Sequence, residues 1–439
     1  MTRLSRRQFL QIAAGAALLG GSGALLSGCA QRQRFEDGRL VLDFFNYASP
    51  EFLHLYETKL IPAFEKKYPK VKIRMTTSMG DAGYDAKLLT MIAGKIAPDI
   101  FHVTQANFPF YANKDVLLPL DDFIANDDTV RREHFYSKLL DGMSGKGKLL
   151  GLPADFSPIV TFYNQDMFRK YGVKFPEHGW TWDDFLEKCH ALTKDTDKDG
   201  FTDLWGTVNV DAYNRWPAWV WGNGGDIFTP DVKRCVMDTP EAIGGLKYYV
   251  DLSLTEEVAP TPGESMGQGY EDMFMARSAA MIADSRYSYK RFLKGDGLSF
   301  KWDLAPMPKG RELATTFIWG GNCIYHGTPY PEESWNFLKF LSGEVGAAIN
   351  LEGGNALPAY SQAAEDAVRH RTTPGTPAND VFFLEAIEYG RQAPFPPQFA
   401  EFNASMQNLH DAYLGLVTVE EACKKFTREV NATLASKVF

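Results

Sequence analysis

VKIRMTTSMGDAGYDAKLLTMIAGKIAPDIFHV, residues 71–103, decides the fold. It opens with VKIRM (71–75), where apolar and charged side chains alternate at the two-residue period of a strand. A helix follows over 85–94 and is stopped by Gly94. PDIFHV (98–103) is a second strand. Strands alternating with helices form βαβ units and a mainly parallel sheet. Upstream, RLVLDFFN (39–46) alternates as a strand, and Phe52, Leu55, Leu60 and Phe64 fall at near-helical spacing.

Downstream of Gly151 a similar alternation restarts. Residues 159–163 read as a strand. Residues 181–190 read as a helix with Thr181 as N-cap and Asp183 and Asp184 in its positive first turn. Helices are predicted over 241–253, 271–281, 331–341, 381–392 and 419–434, and a strand over 302–308. GKGKLLG (145–151) lacks P-loop spacing and reads as a hairpin turn. The class is α/β, and the length exceeds what one compact core serves, so two domains are expected.

The first residues carry a different pattern. Arg3, Arg6 and Arg7 precede an apolar run, 12–26, broken by Gly15, Gly20, Gly21 and Gly23. The run is shorter than the ~20 residues of a spanning helix, and residues 1–28 read as a secretory signal. SRRQFL (5–10) resembles the twin-arginine export signal, and LSGC (26–29) resembles a lipobox in which Cys29 is lipidated. An exported lipoprotein is predicted, anchored on the periplasmic or extracellular face, with 29–37 as a polar tether.

The formal charge is −9, and 1–28 hold three Arg and no acid. An acidic chain without a basic cluster is a poor nucleic-acid binder. Cys189, Cys235, Cys323 and Cys423 form no C-x-x-C pair and read as isolated buried thiols. DTDKDGFTDLWG (195–206) has the wording of a calcium loop. Asp195, Asp197, Asp199 and Asp203 offer carboxylates, Phe201 offers its carbonyl, and Gly200 makes the turn. An EF-hand needs Glu where Gly206 stands, so a static structural calcium site is expected, with a metal-free acidic turn as the alternative. No dinucleotide fingerprint, H-E-x-x-H, G-x-S-x-G or Walker loop is present, and no organic cofactor is expected.

Several blocks taken in order resemble the sugar-type extracellular solute-binding proteins (family 1) that feed ABC importers. AFEKKYPKVKIRM (63–75) with DAKLLTMIAGKIAPDIFHV (85–103) is similar to their first lobe. GLPADFSPIVTFYNQDMFRKYGV (151–173) and WTWDDFLEKCHALTKDTDKDG (180–200) are similar to the entry of their second. FMARSAAMIADSRY (274–287), WDLAPMPKG (302–310) and GGNALPAY (353–360) are similar to later blocks. The resemblance implies an α/β, two-lobe periplasmic-binding-protein-like fold of type II, with about three hinge crossings and a ligand cleft between the lobes. It places crossings near 155–157, 305–307 and 343–352, an N-lobe of 38–155 plus 306–343, and a C-lobe of 156–305 plus 344–439. It implies a monomeric, non-catalytic carrier that captures a sugar or oligosaccharide by hinge closure and delivers it to ABC permease subunits. A secreted carbohydrate-active enzyme is the alternative, since the presence of carboxylates decides nothing.

Sugars present apolar CH faces and many hydroxyls, so their sites combine aromatic platforms with polar side chains. The richest cluster is YNRWPAWVWGNGGD (213–226), which supplies Trp219, Trp221 and Asn223 beside Trp216; core packing of these tryptophans is the competing reading. Asn46 and Tyr47 follow a strand, Asp81 and Tyr84 flank a helix start, and Gln105 follows another strand. Asp155 and Phe156 fall at the first crossing. In DSRY, this sequence has Ser285 and Tyr287 where the family usually has Gly then Trp, so the platform would be Tyr287, and Arg286 is a candidate to meet an acidic group or a hydroxyl. Trp319, Gly320 and Asn355 complete the candidates.

Overall fold

The computed structural model describes residues 34–78, 81–265, 267–293, 298–354, 356–369 and 377–436, the side chains of 81, 82 and 290 excepted. The leader, Cys29 and Asn355 lie outside these residues. Three strands are parallel: β1 (Arg39–Asn46), β2 (Val71–Thr77) and β3 (Ile100–Thr104). β1 pairs with β2 from Leu40↔Val71 to Asn46↔Thr77 and with β3 at Phe44↔Ile100. Helix α1 (Asp81–Ala93) connects β2 to β3, as the alternation over 71–103 predicts. Helix α2 (Phe108–Asn113) follows β3 closely.

The longest strand, β4 (Leu152–Asn164), changes partners along its length. Residues 159–164 pair antiparallel with β5 (Met281–Ser285) and β6 (Trp302–Ala305). Residues 152–158 pair antiparallel with β7 (Thr315–Ile324), which in turn pairs with β3. The β4–β7 register shifts between Gly320 and Gly321. β4 is buried on both faces, as a strand covered by helices and further sheet must be. Its alternate side chains enter different cores. Phe156, Val160 and Phe162 join the core that contains Phe45, Phe101 and Phe337. Ile159 and Tyr163 join the core that contains Trp219, Leu246 and Phe426.

Local chemistry sets the helix ends. At α3 (Trp182–Leu192), Thr181 Oγ1 accepts from the Asp184 N–H at 3.2 Å, and Asp184 Oδ2 accepts from the Thr181 N–H at 2.8 Å. This capping box satisfies two N–H groups that the helix cannot. The helix expected over 271–281 ends at Met275, because Arg277 takes a positive φ of 66° and the chain turns into β5. The hairpin read in 145–151 is present, with Lys146 and Gly147 both at positive φ between short strands Ser144–Gly145 and Lys148–Leu149. Cys189, Cys235, Cys323 and Cys423 are buried free thiols.

Helices α4 (Pro217–Gly222) and α5 (Pro240–Leu254) cross closely enough to require glycine. A Cβ at Gly245 would lie 2.5 Å from the Trp219 carbonyl oxygen and 2.6 Å from the Val220 Cα. Both obstacles are backbone, so the helices must separate to admit a methyl group. Gly245→Ala is therefore expected to destabilise the protein by about 1–3 kcal/mol. Urea unfolding checks this, and an unchanged midpoint would contradict the crossing.

Candidate functional site

The carboxyl ends of parallel strands are where open α/β sheets bind ligands. Asn46 ends β1, is buried, and its carbonyl accepts from the Ser78 N–H at 3.4 Å. Tyr47 follows it and is 38 % exposed. Its ring lies 6.2 Å from the His102 ring in a stacked arrangement and 5.8 Å from the Tyr84 ring, edge on. Asp155 of β4 sits opposite Gly320 of β7. The Tyr287 hydroxyl donates to Asp155 Oδ1 at 3.0 Å, and the Tyr287 N–H donates to Ser157 Oγ at 3.2 Å. Tyr287 is 37 % exposed, so a partly open phenol holds the carboxylate.

Close packing makes this cluster possible. A Cβ at position 320 would lie 2.8 Å from His102 Cε1 and 3.3 Å from Asp155 Oδ1, so glycine leaves room for both. Asp155 is half-buried. Burial raises its carboxyl from 3.8 to about 6, against the lowering effect of hydrogen bonds from Tyr287 and the Gly320 N–H. Burial lowers His102 to about 4, with Asn322 opposing. At neutral pH the cluster offers an ionised acceptor and a neutral imidazole between aromatic faces. That is the chemistry of a polyhydroxylated ring, whose hydroxyls donate to carboxylate and whose CH faces pack on aromatics.

Gln105 follows β3, and its N–H donates to the Trp319 carbonyl at 3.2 Å. Its side-chain Oε1 is buried and finds no partner among the described residues. Gln105 lines a cavity of about 340 Å³ together with Phe108, Trp319, Gln392 and Phe395. Trp319 is buried, donates from Nε1 to Gln392 Oε1 at 2.7 Å, and meets the Phe108 ring at 5.9 Å, edge on.

Other candidates pack away from the opening. Tyr84 stacks on Phe45 at 4.4 Å, and its hydroxyl lies 3.0 Å from the Phe45 carbonyl and 2.9 Å from the His102 carbonyl. Phe156 is buried against Tyr136. The tryptophan-rich segment belongs to the second core. Trp219 stacks on Tyr248 and Tyr249, and Trp216 packs on Tyr213. Trp221 donates to Asp226 at 3.1 Å and lies 4.5 Å from the Arg391 guanidinium. Asn223 donates to the Glu241 carbonyl at 2.8 Å. Every residue of α4 is buried, as expected of a helix apolar all round. Arg286 is buried, donates to the Ala356 carbonyl at 3.0 Å and lies over Tyr289. The Asp81 side chain and Asn355 lie outside the described residues. Sequence reasoning missed His102, Phe108, Gln392 and Phe395. His102 carried a signal, as a polar residue inside the apolar strand 98–103.

In the acidic loop, carboxylate oxygens of Asp195, Asp197 and Asp203 lie within 4.8 Å of one another, and all three residues are exposed. Asp195 accepts from the Lys198 N–H (2.6 Å) and the Gly200 N–H (2.9 Å). Lys198 and Gly200 take positive φ, which curls the loop. The Asp199 carboxylate turns to the Phe201 N–H at 2.9 Å and is not in the cluster. The Asp199 N–H bond lowers the Asp197 carboxyl, but partial dehydration and the charges of Asp199, Asp203 and Asp195 outweigh it and raise it. Three carboxylate oxygens around one point would supply part of the roughly six to eight oxygens that a calcium ion takes.

Residues 55–348 match the family described as bacterial extracellular solute-binding protein. The chain is 30% identical over 396 residues to an uncharacterized ABC transporter extracellular-binding protein of Pyrococcus horikoshii, covering 85% of this chain and 82% of that one. It is 28% identical over 245 residues to the arabinooligosaccharide-binding protein of Bacillus subtilis, covering 54% of this chain and 53% of the other, so this match spans about half the relative's length. An ABC substrate-binding protein from Listeria monocytogenes, solved in complex with cycloalternan, superposes with a TM-score of 0.79 at 27% identity, covering 90% and 99%. A maltose-bound protein from T. maritima shares the fold with a TM-score of 0.72 at 19% identity, covering 90% and 99%.

The raised Asp155 carboxyl has a sign that can be tested. Its folded pKa lies above the unfolded one, so its contribution to stability is fully present below about pH 4 and is lost as pH rises through about 6. Asp155→Asn removes the charge that burial penalises. The difference in Tm between Asp155→Asn and the parent should move in favour of the variant from pH 4 to pH 7. A difference independent of pH would show that Asp155 titrates as an ordinary surface carboxylate.

Proposed function

We propose, for a chain that belongs to the bacterial extracellular solute-binding protein family, that it captures a carbohydrate by hinge closure and delivers it to the membrane subunits of an ABC importer. One observation carries the reading: the partly exposed Tyr287, from the segment after β5, holds the Asp155 carboxylate of β4 three residues before that strand passes from β7 to β5. The sugar-bound relatives support carbohydrate as the ligand class. In this reading Asp155 is a hydroxyl acceptor and the protein is a monomeric carrier, not a catalyst. The leader read in 1–28 fits export and anchoring through Cys29.

The hinge runs through the two long strands. The first crossing is at 155–157 in β4. We place the second at 317–319 in β7, later than 305–307, because Met307 and Ala314 pack in the second core while Phe317 and Trp319 pack in the first. The third follows helix Glu344–Gly353, which holds to the first helical run through the Tyr56 hydroxyl and Asn350 Oδ1 at 3.3 Å. Ligand that bridges both sides favours the closed form by its differential affinity, and the permease reads that form.

The acidic loop serves as a calcium brace in this account. It leads into Trp205, whose N–H donates to the Ser278 carbonyl and whose carbonyl accepts from the Ala280 N–H, both at 2.9 Å. The loop thus bears on the approach to β5 and not on the ligand.

Thermal shift against a panel of sugars tests the function. A ligand at a hundredfold excess over its Kd stabilises by about 2.7 kcal/mol, so Tm rises. Tyr287→Ala should weaken binding of the responding sugar about tenfold or more, because a platform and the Asp155 hydrogen bond go together. Turnover of an oligosaccharide would overturn the carrier reading. Chelation by EDTA should lower Tm and calcium should restore it, with sugar affinity unchanged; a Tm indifferent to both would remove the brace.

A further inference from the structure

Tyr213, Asn214 and Arg215 open the tryptophan-rich segment, and their polar groups reach beyond the tryptophan core. The Tyr213 hydroxyl donates to the Pro394 carbonyl at 2.6 Å. The Asn214 carbonyl accepts from Thr316 Oγ1 at 2.6 Å, one residue before the crossing placed at 317–319. Arg215 Nη2 donates to Asp284 Oδ1 in β5 at 2.5 Å. Consecutive residues thus each hold a different segment: the stretch after the strand Gly390–Arg391, then β7, then the end of β5. The first two are also strand neighbours, since Gly390 pairs with Thr315.

The Arg215–Asp284 pair is the buried part of this clasp, with side chains 7 % and 0 % exposed. Arg215 also donates to the Tyr270 hydroxyl at 3.3 Å, and its guanidinium lies 5.8 Å from the centre of that ring. Arg215 Nε and Nη1 have no hydrogen-bond partner among the described residues. A buried ion pair that is only partly satisfied is a poor source of stability, because apolar side chains of similar volume do as well or better. What it supplies is direction. A guanidinium and a carboxylate meet in one geometry, whereas apolar groups can slide past each other.

That direction bears on Tyr287. Asp284 pairs with Val160 and Ser285 with Ile159, where β4 has just left β7. Tyr287 stands three residues after Asp284, in the short turn Arg286–Ser288, and from there its hydroxyl reaches Asp155. The far side of the turn is held as well, since Ser288 Oγ and Arg291 both bond to Glu271. Tyr270 and Glu271, neighbours on the helix Tyr270–Met275, therefore brace both sides of the segment that carries Tyr287.

Resting on the reading of Tyr287 and Asp155 as part of the ligand site, we propose that Arg215 is a positioning residue of that site. Through Asp284 it fixes the end of β5 and so the reach of Tyr287 to Asp155. Through its neighbour Asn214 the same segment ties that end to β7. Arg215 acts through Tyr287 and not by contact with ligand.

Fluorine NMR of the full chain, with 3-fluorotyrosine at position 287 alone, tests this. Asp155→Ala marks where the resonance lies once the Tyr287 contact is lost. Arg215→Met should move the resonance to that position, and adding Asp155→Ala to Arg215→Met should move it no further. Arg215→Met strands a buried carboxylate and can fail to fold, so Arg215→Met/Asp284→Leu is the second variant. Its Tm should stay close to the parent's, because both charges are gone, yet its resonance should also lie at the Asp155→Ala position. Its affinity for the sugar found by thermal shift should fall about tenfold, as in Tyr287→Ala. A resonance at the parent position in either folded variant would overturn the inference and leave the pair as core filling. A moved resonance with unchanged sugar affinity would uphold the positioning of Tyr287 and remove Tyr287 from the ligand site, so the two readings fail separately.

Discussion

The structure depends on β4 being shared. Its first half is hydrogen-bonded to β7, and its second half to β5 and β6. A strand that alternates side chains between opposite faces can feed two cores at once, and β4 does so with Phe162 on one side and Tyr163 on the other. The change falls between Pro158, still paired with Phe317, and Ile159, paired with Ser285. Asp155 stands three residues before that change and is paired on both sides, with Gly320 of β7 and with Pro358.

Several constraints agree on the setting of Asp155. Gly320 leaves space for His102 and Asp155, and Tyr287 orients the carboxylate from a segment that follows β5. Burial makes the carboxylate a stronger proton acceptor, and the Tyr287 and Gly320 hydrogen bonds keep it ionised near neutral pH. The phenols of Tyr47 and Tyr287 are 38 % and 37 % exposed, which leaves part of each ring available.

Much of the fold was legible because periodicity reports burial. The alternation of VKIRM and the helix that Gly94 stops gave β2 and α1 directly, and the Thr181 cap was visible as a residue pattern. The site was legible only in part. Tyr47 and Gln105 follow strands, and strand ends are readable. Trp219 and Trp221 misled because aromatic density marks a core as well as a cleft, and only the all-round apolar character of α4 separates the two. Asp199 fits the calcium spacing, yet its carboxylate turns to the Phe201 N–H and lies outside the cluster, a direction that spacing does not reveal. Phe395 and Gln392 were invisible because they reach the cavity from far along the chain.

Small-angle X-ray scattering with and without a saturating sugar identified by thermal shift tests the central claim most directly. If β4 and β7 form a hinge that ligand closes, the radius of gyration falls on binding, and in Tyr287→Ala the same fall needs about tenfold more sugar. A radius unchanged at proven saturation would contradict capture by closure.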